Sequence, residues 1–194
     1  MSTCHGITLT TRASALPIKA ADMRQHCGEI PPDDVQLVTD YIKASWEQLE
    51  HDTGRALLNN VYRMSMDGFP ESEIIEVPRF PLVSVDSIVY DDDTDGSEQT
   101  WDAANYRVST SRRYGRITPA YDQSWPTTRD QIDAVRITFT AGHGTAESDV
   151  PAFAKQALRL YVADAYRFRE LGAMDDNTRK AWAAAVFNLG GGKC

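Results

Sequence analysis

Apolar and polar positions alternate most regularly in the middle of the chain and recur at helical spacing on either side of it. Val135, Ile137 and Phe139 against Arg136, Thr138 and Thr140 give the clearest period of two, which predicts a strand with one buried face. Tyr62, Met64 and Met66 alternate with Arg63 and Ser65 and predict a strand that stops at the Asp67-Gly68 turn. Shorter strands are predicted at Ile7 to Thr11, Glu73 to Val77, Val83 with Val85 and Val89, Tyr106 with Val108, and Gly115 to Thr118. Pro78 and Pro81, flanking Arg79 and Phe80, cannot join a central ladder, so that segment is expected in a loop or at a sheet edge.

The helical patterns lie outside this region. Ala20 to His26 predicts a short helix, followed by the punctuation of Gly28, Pro31 and Pro32. Val35, Val38, Ile42, Ser45, Trp46 and Leu49 fall on one stripe, which predicts a helix from about Asp34 to about Thr53. Asp33 or Asp34 is suited to cap its start, since a short carboxylate accepts orphan N–H groups, and Gly54 to end it in the left-handed region. After Gly142-His143-Gly144 the period returns to helical. Pro151 suits a first turn, and Phe153, Ala154, Ala157, Leu158, Tyr161, Val162 and Ala165 line an apolar face with Arg159, Asp164, Arg167 and Arg169 outside it. A last helix is predicted from about Asn177 to about Leu189, with a glycine-rich flexible tail over 190–194.

These elements predict an α+β protein: a small helical bundle of about four helices with an inserted antiparallel β portion of about five to six strands. The expected organisation is one domain over 1–194, with the helical body at 17–55 and 150–189 and the β insert at 57–144. At 194 residues, 42% hydrophobic and 25% charged, the chain can bury a core without disulfides or metal.

Charge narrows the function. The net charge of -8 argues against a general nucleic-acid binder, which needs clustered Lys and Arg. It is unevenly spread: residues 151–194 carry 7 Lys and Arg against 4 Asp and Glu, and residues 1–150 carry 13 against 24. Cys4, Cys27 and Cys194 share no metal-binding spacing, which predicts free thiols in a reducing compartment. No signal-peptide pattern opens the chain and no apolar run spans a bilayer, so the expectation is a soluble protein that stays where it is made, with no membrane partner.

Several constellations invite a chemical reading. Asp91, Asp93, Asp95 and Gly96 match the first half of a calcium loop, with Asp102 at its twelfth position. The preceding segment is a strand, however, and Asp-Gly also serves turn geometry, so a solvated acidic hairpin tip is the simpler reading. His143, with Asp122, Ser124 and Asp149 elsewhere, lacks any Gly-x-Ser-x-Gly elbow or a base beside a nucleophile. It is expected on an exposed turn between glycines that supply positive φ. His5, His26 and His51 share no ligand spacing, and Gly190-Gly191-Gly192-Lys193 follows a helix instead of a strand and is no phosphate loop. Tyr114, Tyr121 and Trp125, near Pro119 and Pro126, suit either an exposed contact or a cover over the open end of the sheet. No catalytic residue, cofactor or resident metal is expected.

A series of short segments carries a resemblance. Thr53-Gly54-Arg55-Ala56-Leu57, Met66-Asp67-Gly68-Phe69-Pro70, Pro78-Arg79-Phe80-Pro81-Leu82-Val83-Ser84-Val85 and Tyr106-Arg107-Val108 come first. Gly115-Arg116-Ile117-Thr118-Pro119-Ala120-Tyr121, Ser124-Trp125-Pro126, Thr138-Phe139-Thr140-Ala141-Gly142-His143-Gly144 and Val150-Pro151 follow. In this order, over about Leu16 to Leu171, the chain resembles the head-tail connector (adaptor) family of tailed phages and gene transfer agents. No single one of these segments is diagnostic.

The resemblance implies a structural virion protein of the neck, made in the host cytoplasm and not an enzyme. It implies a homo-oligomeric ring, usually of twelve copies, beneath the portal protein, continuing the DNA channel and offering a platform to stopper and tail proteins. Genomic DNA would pass without specific binding. The C-terminal segment of such proteins engages the portal, which implies portal contact by Trp182, Phe187 and Leu189. The acidic tip Asp91, Asp92, Asp93 and Asp95 is expected to face the channel or the stopper. The alternatives are another neck or tail component such as a stopper, or a small ligand-binding module, a calcium-binding one included.

Overall fold

A computed structural model describes residues 6–172 and 174–190. The elements are β1 (Gly6–Thr11), a 3-10 turn (Ala20–Met23) running into α1 (Arg24–Cys27), a 3-10 turn (Pro32–Asp34) running into α2 (Val35–Thr53), then β2 (Asn60–Met66), β3 (Ile75–Val77), β4 (Leu82–Asp91) and β5 (Glu98–Thr100). After a 3-10 turn (Ala103–Asn105) come β6 (Tyr106–Ser109), β7 (Gly115–Pro119), β8 (Val135–Ala141), a 3-10 turn (Glu147–Asp149), α3 (Ala152–Phe168) and α4 (Asp176–Gly190). The fold class is α+β. Two compact units divide the chain: one takes residues up to Arg12 with Asn59–Gly142, the other Ala13–Leu58 with His143 onward. Cys4, His5, Cys194 and residues 191–193 of the expected tail lie outside the described residues, while Gly190 closes α4.

The β unit holds two antiparallel sheets. Five strands run in the order β1-β2-β8-β4-β5 and three in the order β3-β7-β6. Strict alternation makes β8 the central strand: Val135, Ile137, Phe139 and Ala141 are fully buried and the residues between them are not. Across from it in β2 stand Met66, Met64 and Tyr62, and the Tyr62 and Phe139 rings stack with centroids 5.6 Å apart. The valines of β4 do not follow the same rule. Its pairing with β8 shifts between Leu82 and Ser84 and again between Val85 and Ser87. Each shift inserts a residue and re-aims the side chains, so Val83 is 48% exposed while Leu82, Ile88 and Asp91 turn inward. β5, short and wholly exposed, pairs with the end of β4 and has no apolar signature by which to predict it.

In the three-stranded sheet Ile75, Val77 and Ile117 are buried and Glu76, Arg116, Thr118 and Arg107 face the other way. Gly115 opens β7 beside the Leu82 side chain, and a Cβ at this position would overlap it. Gly115→Ala is therefore expected to destabilise the β unit by about 1–3 kcal/mol through overpacking. The measurement is a lowered urea midpoint in the fluorescence of Trp101 and Trp125, the two tryptophans of this unit.

In the other unit, α2, α3 and α4 pack with the α1 segment around a core of Val38, Ile42, Trp46, Leu49, Leu158 and Val162, joined by Ile18, Met23 and Leu57. Two features of the helical patterns differ from expectation. Val35 and Phe153, at the starts of α2 and α3, are exposed. Asp164, expected outside the apolar face, is buried and accepts the Asp175 N–H at 2.8 Å, tying the end of the α3–α4 connection to α3. Asp34 stands at the N-cap of α2, but its carboxylate does not cap. It accepts from the Tyr166 hydroxyl at 2.7 Å and from Arg169 Nη2 at 2.9 Å, which holds its carboxyl below the ordinary carboxylate range, chiefly through Arg169. Gly54 ends α2 in the left-handed region, its N–H on the Glu50 carbonyl, and the Glu50 carboxylate accepts the Leu57 N–H at 2.6 Å.

Candidate functional site

The acidic turn between β4 and β5 is built by its own backbone. Asp92 N–H bonds the Ser97 carbonyl and Gly96 N–H the Asp92 carbonyl, while Asp92 Oδ1 accepts from Thr94 N–H and Asp95 Oδ1 from Ser97 N–H, each at 2.8 Å. Gly96 takes a φ of 72° and lies against the Arg129 guanidinium, with no room for a Cβ. Asp93 and Asp95 are exposed and Asp92 is half-buried. Hydrogen bonds from Ser97 hold the Asp95 carboxyl below its ordinary range, so Asp95 keeps its charge in mild acid.

Asp91 is not part of that tip. Its place at the end of β4 turns it inward, where Arg136 grips both its oxygens, Nη2 to Oδ1 at 2.6 Å and Nη1 to Oδ2 at 2.9 Å, with Gln131 Nε2 adding a third bond. The same guanidinium reaches Glu98 at 2.9 Å and the Asp133 carbonyl at 2.8 Å. The Asp91 carboxyl is held below the ordinary range, mainly by Arg136, and the Arg136 guanidinium is pushed up by Asp91. Among the described residues the calcium pattern does not assemble a ligand set: Asp91 is committed to Arg136, and Asp102 caps the next 3-10 turn by accepting from Ala104 N–H. The acidic tip is thus Asp92, Asp93 and Asp95.

The aromatic residues divide likewise. Trp125 stacks on Phe69 at 4.8 Å and 9°, and lies 4.8 Å from Trp101, which stacks on Tyr106 at 5.5 Å. Tyr114 packs edge-on to Phe80 at 5.1 Å. Tyr121, by contrast, is 91% exposed, and Ile132 is 82% exposed in the next loop.

Of the C-terminal residues, Trp182 and Leu189 are core. Trp182 packs on Tyr161 with ring centroids 4.9 Å apart and donates its Nε1–H to Asp52 at 3.0 Å. Only Phe187, 70% exposed, offers an apolar surface to a partner. The helical period could have separated the three, because Trp182 and Leu189 are seven residues apart on one stripe and Phe187 is off it.

His143 is half-buried, not exposed as the glycines beside it suggested. Its Nε2 lies 3.3 Å from Arg55 Nη1, and burial followed by the Arg55 charge lowers its pKa, so it is neutral near pH 7. Gly142 and Gly144 do adopt positive φ, 152° and 151°. Asp122 is exposed, as are Ser124 and Asp149, and the Asp149 carboxylate bonds the Ala146 N–H. No nucleophile stands beside a base among them. His26 and His51 are exposed. In the helical unit, a concavity of about 570 Å³ is lined by Cys27, Arg167, Arg169 and Asp175. Its polar groups already serve the fold: Arg169 holds Asp34, and Asp175 caps α4 by accepting from Thr178 N–H at 2.7 Å.

A second concavity, of about 300 Å³, lies on the outer face of the three-stranded sheet between Arg107, Ser109, Arg116 and Thr118. Arg107 pairs across the ladder with Thr118 and Ser109 with Arg116, so all four share one face. Nothing in the alternation of β6 and β7 singled these arginines out beyond their outward position. No helix among the described residues is long and apolar enough to cross a membrane.

Two units, one helical and one of antiparallel sheets, define an α+β fold. The same fold occurs in solved gene transfer agent particles. A chain in the virion of a native gene transfer agent (GTA) particle matches with TM-score 0.79 and 22% identity over 97% of this chain and 96% of that one. A chain in the neck of an empty GTA particle, computed with C6 symmetry, matches with TM-score 0.80 and 23% identity over 97% of each. One in the neck of a native particle, computed with C12 symmetry, matches with TM-score 0.77 and 22% identity over 97% of each. No protein-family model and no curated protein matches the chain.

Proposed function

We propose that this chain is a structural neck protein of a phage-like particle: a head-tail connector (adaptor) that forms a ring beneath the portal, continues the DNA channel and carries the stopper or tail. The observation that supports this most is the length of the shared fold. It extends over 97% of this chain and 97% of a neck chain from a particle treated with C12 symmetry, with neither chain keeping a large private domain. Ring formation needs two different patches on each copy, and the exposed Tyr121 and Ile132 of the β unit supply apolar anchors to one of them. A net charge of -8 suits a channel wall along which DNA slides without adhering. In this reading Phe187 is the portal-contacting residue of the C-terminal segment, and Trp182 and Leu189 position it from the core.

The test is to mix the purified protein with the portal ring of the same particle and examine the product by electron microscopy, with each component alone as a control. The expected product carries an additional ring coaxial with the portal. Phe187→Asp is expected to lower ring occupancy about tenfold or more, the usual cost of losing a central aromatic anchor, while leaving the melting temperature of the free protein unchanged. A stopper would join only after another connector was in place, so wild-type protein that binds a portal-connector complex but not the bare portal would overturn the adaptor reading.

A further inference from the structure

We propose that the two-arginine face of the three-stranded sheet binds the acidic β4–β5 turn of a second copy of this chain; the proposal rests on the ring reading above and assigns a seam to it. The segment from Tyr106 to Ala120 contains Arg107, Arg112, Arg113 and Arg116 and no Asp or Glu, in a chain of net charge -8. Arg107 and Arg116 line the concavity of about 300 Å³, with the hydroxyls of Ser109 and Thr118 as further donors. Neither arginine is ion-paired with any of the described residues, and Arg116 Nε is buried without a hydrogen-bond partner among them. Glu76 is the cross-strand neighbour of Arg116 and shares its face, yet it does not come within ion-pair distance. Two guanidiniums around a small hollow, one with a buried donor unpaired among the described residues, are arranged for carboxylates that those residues do not supply.

The acidic turn is the complementary part. Asp91 and Glu98 at its base are engaged by Arg136, which leaves Asp92, Asp93 and Asp95 without an ion pair among the described residues, with Arg129 lying against Gly96. The turn presents carboxylates in its first, second and fourth positions, and a carboxylate side chain is small enough to enter a hollow of about 300 Å³. A duplex would need a longer track of cations than one pocket provides, and it would meet the repulsion of the whole chain. Because donor and acceptor patches are different surfaces of one chain, their pairing is head-to-tail, the geometry that closes into a ring. This places the aspartates at the seam between copies and not in the channel or against the stopper.

The experiment compares four proteins for self-association, alone at high concentration by sedimentation and on the portal by electron microscopy. They are wild type, Arg107→Glu/Arg116→Glu, Asp92→Lys/Asp93→Lys, and the chain carrying all four changes. Each double variant is expected to lose association about tenfold or more, and the fourfold variant, whose charges are exchanged, to regain it to within about threefold. Thr118→Glu, on the exposed sheet face, is expected to give the same loss should either double variant melt at a lower temperature than wild type. Arginine variants that associate like wild type, or a fourfold variant no better than the doubles, would overturn the seam. So would variants that lose only low-salt binding to duplex DNA, which would make the hollow a phosphate site. Wild type that self-associates, charge-dependently, without joining the portal would support the seam while overturning the adaptor reading. No self-association in either setting overturns both.

Discussion

Phe139→Ala is expected to destabilise the β unit by about 3–5 kcal/mol, a large share of the stability a unit of this size commands. Phe139 sits in the central strand, with no exposed surface, between Tyr62 of β2 and Val85 of β4, and its ring stacks on Tyr62. The strands on both sides are held in register by backbone bonds and cannot close on the space left behind. Trp101 and Trp125 report this unit and Trp46 and Trp182 the helical one, so Trp→Phe changes at one pair make the fluorescence transition specific to the other. A fall in the midpoint seen through Trp101 and Trp125 is the expected result. A loss below about 1 kcal/mol would mean that the site collapses, against the rigidity argued for the central strand.

Asp91→Asn should cost the same unit about 2–3 kcal/mol, less than a fully buried pair because the Arg136 side chain is 21% exposed. The substitution keeps the shape but removes the charge that Arg136 grips with two bonds, leaving a half-buried cation with the more exposed Glu98 as its remaining ion-pair partner. The pH dependence has a defined sign. A carboxyl whose folded pKa is lowered contributes fully above its unfolded value, about 4, and loses that contribution as pH falls through the lower folded value. Wild type should therefore lose stability on acidification below about pH 4 more steeply than Asp91→Asn, and the two should converge in strong acid. Parallel curves in thermal melts from pH 7 to pH 2 would assign the pair no role in acid stability.

How far these features could be read beforehand depends on whether a residue's role is local. The period of two in β8 and β2 and the apolar stripes of α2 and α3 are set by neighbours two to four residues away, and the structure has those elements where the pattern puts them. β4 was legible as a strand but not in its facing, because its two register shifts are fixed by pairing with β8 and leave no mark in its own valines. Asp91 looked like its acidic neighbours, and only the long-range approach of Arg136, 45 residues on, sets it apart. Asp34 and Asp164 followed the same course: each was read by local rules, as a cap or a solvated charge, and each is engaged by a partner from another turn or element. The Arg107 and Arg116 pocket arises from cross-strand register, which a single strand's sequence does not contain.

The interleaving of the two units has a consequence for synthesis. Every strand of the β unit has left the ribosome once Gly142 has followed, whereas the helix α2, made much earlier, must wait for α3 and α4 before its apolar stripe is covered. The bonds that join them, Tyr166 to Asp34 and Trp182 to Asp52, link residues 132 and 130 positions apart. A nascent chain therefore carries an uncovered amphipathic helix while its sheets mature, and that interval is when a helix-binding chaperone would have most to hold.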